Sequence, residues 1–318
     1  MEPTLFRADL DEIPSRLDAL ADVAAAGGLE WPFNTPPRRL LLTGMGSSWF
    51  AATAAAHRLR AVGIDAVAEL ASTELTWPPS LDLTVVAISA SGSSAETLDF
   101  ADRYAATGRL IALTNASGSP LADRTLEVMS MHAGLERSGV ACRSFRHTIA
   151  ALLALEAQLD CRFDIVEVLR RAAEASAWLL AESERWLPPV LEALDTTDGT
   201  WFLAPAERLA SALQGALMVR EVPRRRGDGC ETGDWSHVDV YLTKTLDYRA
   251  VVFTGSRHDR AAAEWMASRG STAVAVGGSF ADAGVVVRYP GDEDPVVALL
   301  TEIVVAELVA ASWLVAET

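Results

Sequence analysis

The stretch Ser89-Ala90-Ser91-Gly92-Ser93-Ser94-Ala95-Glu96-Thr97 concentrates hydroxyl groups between an apolar run and a helical pattern. A helix entered this way offers unpaired N–H groups and the positive end of its dipole. The serine hydroxyls add donors, and Gly92 lets the backbone come close to a ligand. Together they suit a phosphate monoester and need no lysine. An N-cap would also explain a serine here, but one serine is enough for a cap. A second hydroxyl-bearing turn, Gly44-Met45-Gly46-Ser47-Ser48, follows another apolar run. It has Trp49 where a dinucleotide fingerprint needs glycine, and it lacks the Gly-Lys-Ser/Thr of a P-loop. We therefore read Ser47 and Ser48 as donors beside the serine loop. Lys244 is the only lysine, so Schiff-base chemistry would have to use it.

These loops need strands and helices to hold them. Leu10, Ile13, Leu17 and Leu20 recur at helical spacing until Gly27-Gly28, and Pro32, Pro36 and Pro37 make a linker. Apolar runs at 40–43, 83–89, 110–114 and 126–132 read as strands, alternating with helices at 49–62, 95–107 and 144–159. A helical connector over 165–194 is expected to break at Pro188-Pro189. The order then returns, with strands at 200–203, 250–254, 273–276 and 285–289 and helices at 206–221, 259–268 and 294–316. Such alternation implies βαβ units and mostly parallel sheets flanked by helices, an α/β doubly wound architecture. Thr84-Val85-Val86-Ala87-Ile88-Ser89 resembles Ala250-Val251-Val252-Phe253-Thr254-Gly255, and each half closes in a long apolar helix. The expectation is a tandem duplication: a helical segment and linker over 1–37, a first domain over 38–162, a helical connector over 163–197 and a second domain over 198–318. Ligands of open sheets sit at the carboxyl ends of the strands, which selects the loops after Thr43 and Ser89.

Composition removes several classes of function. A net charge of −16 disfavours nucleic acid and anionic membrane surfaces as partners. It leaves a small anionic substrate open, because a local nest of N–H groups binds phosphate in an acidic protein. The apolar stretch 296–316 carries Glu302 and Glu307, which lipid would not tolerate, and reads as a buried helix. Cys142, Cys161 and Cys230 are scattered without metal spacing, and the N-terminal residues lack a basic, then apolar, leader pattern. A cytoplasmic protein without metal or other cofactor is the expectation.

A strand ending in Ile-Ser-x-Ser-Gly before a helix resembles the sugar isomerase (SIS) domain of phosphosugar-binding proteins. Gly46-Ser47-Ser48 resembles that family's Gly-Thr-Ser turn, Asn115-Ala116-Ser117-Gly118-Ser119 its Asn-x-x-Gly-Ser loop, and Ala133-Gly134-Leu135-Glu136 with Gly139-Val140-Ala141 its Ala-Gly-Pro-Glu…Gly-Val-Ala segment. In the second half, the helix from Ala212 to Glu221 is similar to the family helix ending in a catalytic glutamate. His237 follows sixteen residues later, where the family places a ring-opening histidine. The arrangement resembles tandem SIS enzymes: the isomerase half of glucosamine-6-phosphate synthase, and related isomerases, deaminases and deglycases. No N-terminal cysteine nucleophile is present, so glutamine amidotransfer is not expected.

The resemblance implies an enzyme acting on an (amino)sugar 6-phosphate. Ser47, Ser48, Ser89, Ser91 and Ser94 would hold the phosphate; Gly46, Ala90, Ala141 and Cys142 would line the sugar. Glu221 would move a proton next to the carbonyl, and His237 would open the ring. In relatives that histidine comes from the neighbouring subunit, which implies a homodimer with shared sites. On chemistry alone, Glu221 ends a helix that Pro223 cannot continue, where the dipole favours its protonated form. Its plainer reading is a surface carboxylate paired with Arg220, Arg224 or Arg225. His237 suits proton transfer near neutrality and is otherwise loop polarity. Asp228, Glu231, Asp234, His237 and Asp239 share no metal-ligand spacing. Gly227, Gly229 and Gly233 are expected to let their loop move as a lid. Three departures stand out: Met218 replaces a family lysine, Ala90 a glutamine, and the C-terminal lysine tail is missing. They favour deaminase or deglycase relatives over the synthase, and keep open a phosphosugar sensor that binds without turnover.

Overall fold

In the computed structural model the described residues are 2–33, 35–106 and 109–317. The chain opens with α1 (Pro3–Asp11) and α2 (Ile13–Ala25). Leu10, Ile13, Leu17 and Leu20 are all buried, as their spacing requires. There follow β1 (Arg39–Gly44), α3 (Ser47–Ala61), β2 (Asp65–Leu70), β3 (Leu83–Ile88), α4 (Ala95–Asp102), β4 (Arg109–Thr114), β5 (Glu127–Ser130) and α5 (Arg143–Asp160). The strands form one parallel sheet in the order β2-β1-β3-β4-β5. β3 is buried along its whole length, which is why it reads as a continuous apolar run rather than an alternating one. Leu41, Val85, Ala87, Phe100 and Tyr104 make the core on one face of this sheet.

Two helices follow, α6 (Ile165–Ala181) and α7 (Ser183–Ala193). The break between them falls at Glu182, whose φ and ψ are −89° and 8°, not at the prolines. Pro188 and Pro189 sit inside α7, where burial of Trp186 and Val190 holds the helix despite the missing donors.

The second set comprises β6 (Thr200–Ala204), α8 (Leu209–Glu221), β7 (Gly227–Glu231), α9 (Thr232–Trp235), β8 (Arg249–Phe253), α10 (Asp259–Ser268), β9 (Thr272–Val276), β10 (Val285–Val287), α11 (Pro295–Thr301) and α12 (Ile303–Glu317). Its sheet is also parallel, in the order β10-β9-β8-β6-β7. Read from the β7 edge, this repeats the winding of the first sheet. The chain is thus an α/β protein with two parallel sheets flanked by helices. The first sheet lies in a unit of residues 16–136 and 141–170, the second in a unit of 1–15, 137–140 and 171–318.

Several expectations change. The strands β2 and β7 and the short α9 carry no clear pattern in the sequence. The helix expected over 95–107 ends at Asp102, and the chain then turns through bonds from Arg103 N to Phe100 O and Tyr104 N to Ala101 O; Thr107 lies outside the described residues. By length and composition Pro295–Glu317 could cross a membrane, but it is buried inside its unit, with Glu302 and Glu307 fully enclosed.

Candidate active site

The first sheet reverses its winding between β1 and β3, which lie side by side with Gly44 opposite Ile88. At such a switch point the following loops diverge and leave a crevice at the carboxyl ends of the strands. Both hydroxyl-bearing turns flank it. Gly44 allows the approach: a Cβ there would lie 2.7 Å from Ser48 Cβ and 2.9 Å from Ile88 O. Ser47 and Ser48 are the first residues of α3, entered through Gly46 at φ 51°. Their N–H groups therefore belong to a helix N-terminus and not to a free turn.

The serine loop is held open by its own bonds and by the loop after β4. Ser89 is buried, and its Oγ accepts from Gly92 N at 3.1 Å. Gly92 adopts φ 63°; a Cβ there would lie 2.0 Å from Ser119 Oγ. Its carbonyl accepts from Leu121 N at 2.9 Å, and Ala90 O accepts from Asn115 N at 3.1 Å. Ser91 and Ser93 are exposed, with their hydroxyls 2.9 Å apart. Ser94 Oγ lies 3.2 Å from Thr97 Oγ1 and donates to Glu96 Oε2 at 3.1 Å. The loop is thus a rigid turn with two outward hydroxyls at the entry to α4.

Residues outside the expected site complete it. Thr114 Oγ1 donates to Ala90 O at 3.3 Å. Asn115 donates from Nδ2 to Gly134 O at 2.7 Å, and its Oδ1 accepts from Ala133 N at 2.9 Å. Asn115 therefore ties the loops after β4 and β5 together. Its signal was the Asn-x-x-Gly-Ser string, which marked a resemblance but no role. Ala141 and Cys142 precede α5; Cys142 is fully buried and its carbonyl accepts from Arg146 Nη1 at 2.9 Å.

Glu221 and His237 belong to the second sheet's unit. Glu221 is the last residue of α8 and is exposed. α8 lies unusually close to its sheet because its contacts are glycines. A Cβ on Gly215 would lie 2.6 Å from Phe202 Cδ1, one on Gly227 2.4 Å from Val219 Cγ2, and one on Gly229 2.5 Å from Ala212 O. Gly227 and Gly229 are thus strand residues under a helix. This overturns the lid expectation: the glycines serve close packing, and β7 pairs with β6 from Thr200↔Gly227 to Ala204↔Glu231. His237 is exposed, just past α9 at the carboxyl end of β7, and its N–H donates to Asp234 O at 2.8 Å. Glu221 stands before the amino end of that strand. A five-residue strand rises about 13 Å over its four steps. One chain therefore holds these two groups at opposite ends of β7. Trp235 is core, donating from Nε1 to Tyr248 OH at 2.8 Å. Burial raises Asp239 and pushes the neighbouring Cys230 thiol up. Among the described residues no three His, Cys, Asp or Glu side chains gather as a metal set.

The second sheet has its own switch point, between β6 and β8. There Asp259 Oδ2 accepts from Gly255 N at 2.7 Å, so the protein's own carboxylate occupies that helix entry. The first sheet's loop has serine hydroxyls in its place.

Residues 35–158 match the SIS domain family. Over 245 residues, 76% of this chain and 39% of the relative, the sequence is 24% identical to the glutamine–fructose-6-phosphate aminotransferase (isomerizing) of Sulfolobus acidocaldarius. The chain thus spans well under half the length of that curated relative. The fold matches the C-terminal domain of the Francisella tularensis glucosamine-fructose-6-phosphate aminotransferase with a TM-score of 0.79 and 15% identity, covering 97% of this chain and 96% of that one. It matches the Escherichia coli tagatose-6-phosphate ketose/aldose isomerase at 0.78 and 16%, covering 98% and 93%. The Thermotoga maritima glucosamine-6-phosphate deaminase matches at 0.75 and 15%, covering 98% and 95%. Over residues 35–158 the chain is thus similar to the SIS domain family, and as a whole it is similar to the isomerase domain of glutamine–fructose-6-phosphate aminotransferases.

Proposed function

We propose that the chain is a cytoplasmic, cofactor-independent enzyme that isomerises, deaminates or deglycates an (amino)sugar 6-phosphate. The observation that carries this reading is the rigid serine loop at the first sheet's switch point, with outward hydroxyls at a helix entry. Ser47, Ser48, Ser89, Ser91 and Ser94 hold the phosphate, and Gly46, Ala90, Ala141 and Cys142 line the sugar. His237 transfers a proton between ring oxygen and the C1 hydroxyl, opening the ring. Glu221 then takes the proton from the carbon beside the carbonyl and returns it to the neighbouring position, by way of an enediol or enolamine. Placed proton transfer of this kind contributes about 10²–10⁴-fold. Two tandem SIS-type domains, over 38–162 and 198–318, account for the repeated winding order.

The separation of Glu221 and His237 along β7 supports a homodimer in which each site takes its histidine from the other copy. Glu221→Gln and His237→Ala should each abolish turnover. Mixing the two after co-refolding should restore it, because hybrid dimers contain one intact site. No recovery would remove the shared-site assignment.

Incubation in D₂O with glucosamine, galactosamine, fructose, glucose and fructosamine 6-phosphates, followed by proton NMR, tests the reaction itself. Deuterium at C1 or C2 identifies both the proton abstraction and the sugar. A rise in melting temperature without exchange would replace the enzyme by a phosphosugar sensor, a reading that buried Met218 in the lysine position favours.

A further inference from the structure

We infer that a basic pocket at the amino ends of β6 and β7 is a second anion site, which takes a small phosphorylated, hydroxyl-bearing ligand through Arg224 and Arg226. The pocket holds about 400 Å³, and its lining includes Asp195, Thr196 and Thr197 together with Arg224, Arg225 and Arg226. No part of the proposed chemistry uses it.

The arginines are organised, not merely adjacent. Arg225 is fixed: its guanidinium stacks 4.3 Å over the Trp313 ring, and its Nε donates to Glu317 Oε1 at 2.8 Å. Its backbone N–H donates to Val219 O at 2.9 Å. Arg226 is pinned by its carbonyl, which accepts from Thr200 N at 3.1 Å, and by Gly199, where a Cβ would lie 3.0 Å from Arg226 Cβ. Arg224 sits at φ 59°, a left-handed backbone that costs energy for a residue of this kind. Arg224 and Arg226 are both exposed and both line the pocket. The Arg224 and Arg226 side chains have no hydrogen-bond or ion-pair partner among the described residues. Two unpaired guanidinium forks beside a third, in a protein of net charge −16, are a place where a doubly charged phosphate relieves repulsion. The overall charge repels a nucleic acid, and the volume admits a small ester. Asp195 and the two threonines share the lining with the arginines and suit hydroxyl groups on the organic part of the ligand.

The site has a path to turnover. Val222 and Pro223, both buried, are all that separates Arg224 from Glu221 at the end of α8. A ligand gripping Arg224 holds the segment that follows the proposed base. This regulatory consequence rests on the function proposed above, whereas the binding does not.

Calorimetric titration with inorganic pyrophosphate tests the binding. Arg224→Asn with Arg226→Gln keeps a residue that tolerates the left-handed backbone and removes both forks. This variant should melt as the parent does and bind pyrophosphate at least tenfold more weakly at the arginine pocket. Ser89→Ala with Ser91→Ala should keep that binding, and Arg257→Gln, an exposed arginine elsewhere, should leave it unchanged. Unaltered pyrophosphate affinity in the Arg224/Arg226 variant would overturn the inference, as would complete loss in the serine variant. Failure of the serine loop to bind sugar phosphates would show separately, in sugar-phosphate titrations of the same two variants.

Discussion

At the scale of single residues, Gly92 and Ser89 carry the serine loop differently from what hydroxyl counting suggests. Ser89 is buried and its oxygen braces Gly92 N, so it shapes the loop more than it offers a donor. Ser91 and Ser93 face outward. Ser89→Ala should therefore raise KM for the sugar phosphate with kcat little changed, since the interaction is made equally in ground and transition states. Gly92→Ala should be worse. Its Cβ would fall within 2.0 Å of Ser119 Oγ on a backbone at φ 63°. A loss of about 1–3 kcal/mol in stability and at least a tenfold rise in KM are expected, read by urea unfolding and steady-state kinetics. Wild-type kinetics in Gly92→Ala would show that this turn does not hold the phosphate.

At the scale of elements, the telling part is α8 on β6 and β7. Glycine normally weakens a strand, and Gly227-Asp228-Gly229 reads as a flexible turn. The structure makes it a strand because Gly215, Gly227 and Gly229 let the helix carrying Glu221 sit against the sheet without side chains between. Gly229→Ala would drive a Cβ into Ala212 O at 2.5 Å, against backbone that cannot rotate away. The variant should lose about 1–3 kcal/mol by denaturant titration and lower kcat by displacing Glu221. A lid at this position would instead predict unchanged stability. The edge strand β2 escaped the sequence for a related reason. It has one neighbour, runs Asp-Ala-Val-Ala-Glu-Leu and buries only Ala66 fully, so neither alternation nor an apolar run develops.

At the scale of the molecule, buried ionisable groups set the pH response. His147 is fully enclosed at the start of α5, with Nδ1 2.7 Å from Met131 O and Nε2 without a partner. A carbonyl only accepts, so the proton is on Nδ1 and the ring is neutral. Burial chiefly lowers its pKa, to about 4, while the bond to Met131 opposes the shift. The unfolded chain takes up the proton first, near pH 6.5. Stability from this group is complete above that pH and is lost as pH falls towards 4, by up to about 3 kcal/mol. Glu302 acts in the opposite sense. Burial raises it to about 7 against the pull of Arg208, so its contribution is present at low pH and fades as pH rises through that value. The His147 effect is thus best read as a difference. The slope of unfolding free energy against pH between pH 5 and 6.5 should become more negative in His147→Gln, because the opposing Glu302 contribution is left uncompensated, in circular-dichroism-monitored urea titrations. Equal slopes would mean that the ring is already charged in the folded protein.

The sequence by itself determined the alternation of strands and helices, the two hydroxyl-bearing turns and the buried character of the closing helices. These depend on periodicity, on runs of apolar residues and on local turn chemistry, all readable within a window of about a dozen residues. Only the tertiary structure decided which loops meet. Whether Gly46–Ser48 and Ser89 share a crevice depends on β1 and β3 being neighbours at the reversal of winding, a pairing of residues more than forty positions apart. The same holds for Asn115, whose role appears only when two loops are brought together, and for Gly229, whose lack of a side chain matters only under a helix. It holds too for Glu221 and His237. Their spacing in the chain suggests a pair, but a parallel strand between them sets them at opposite ends of β7.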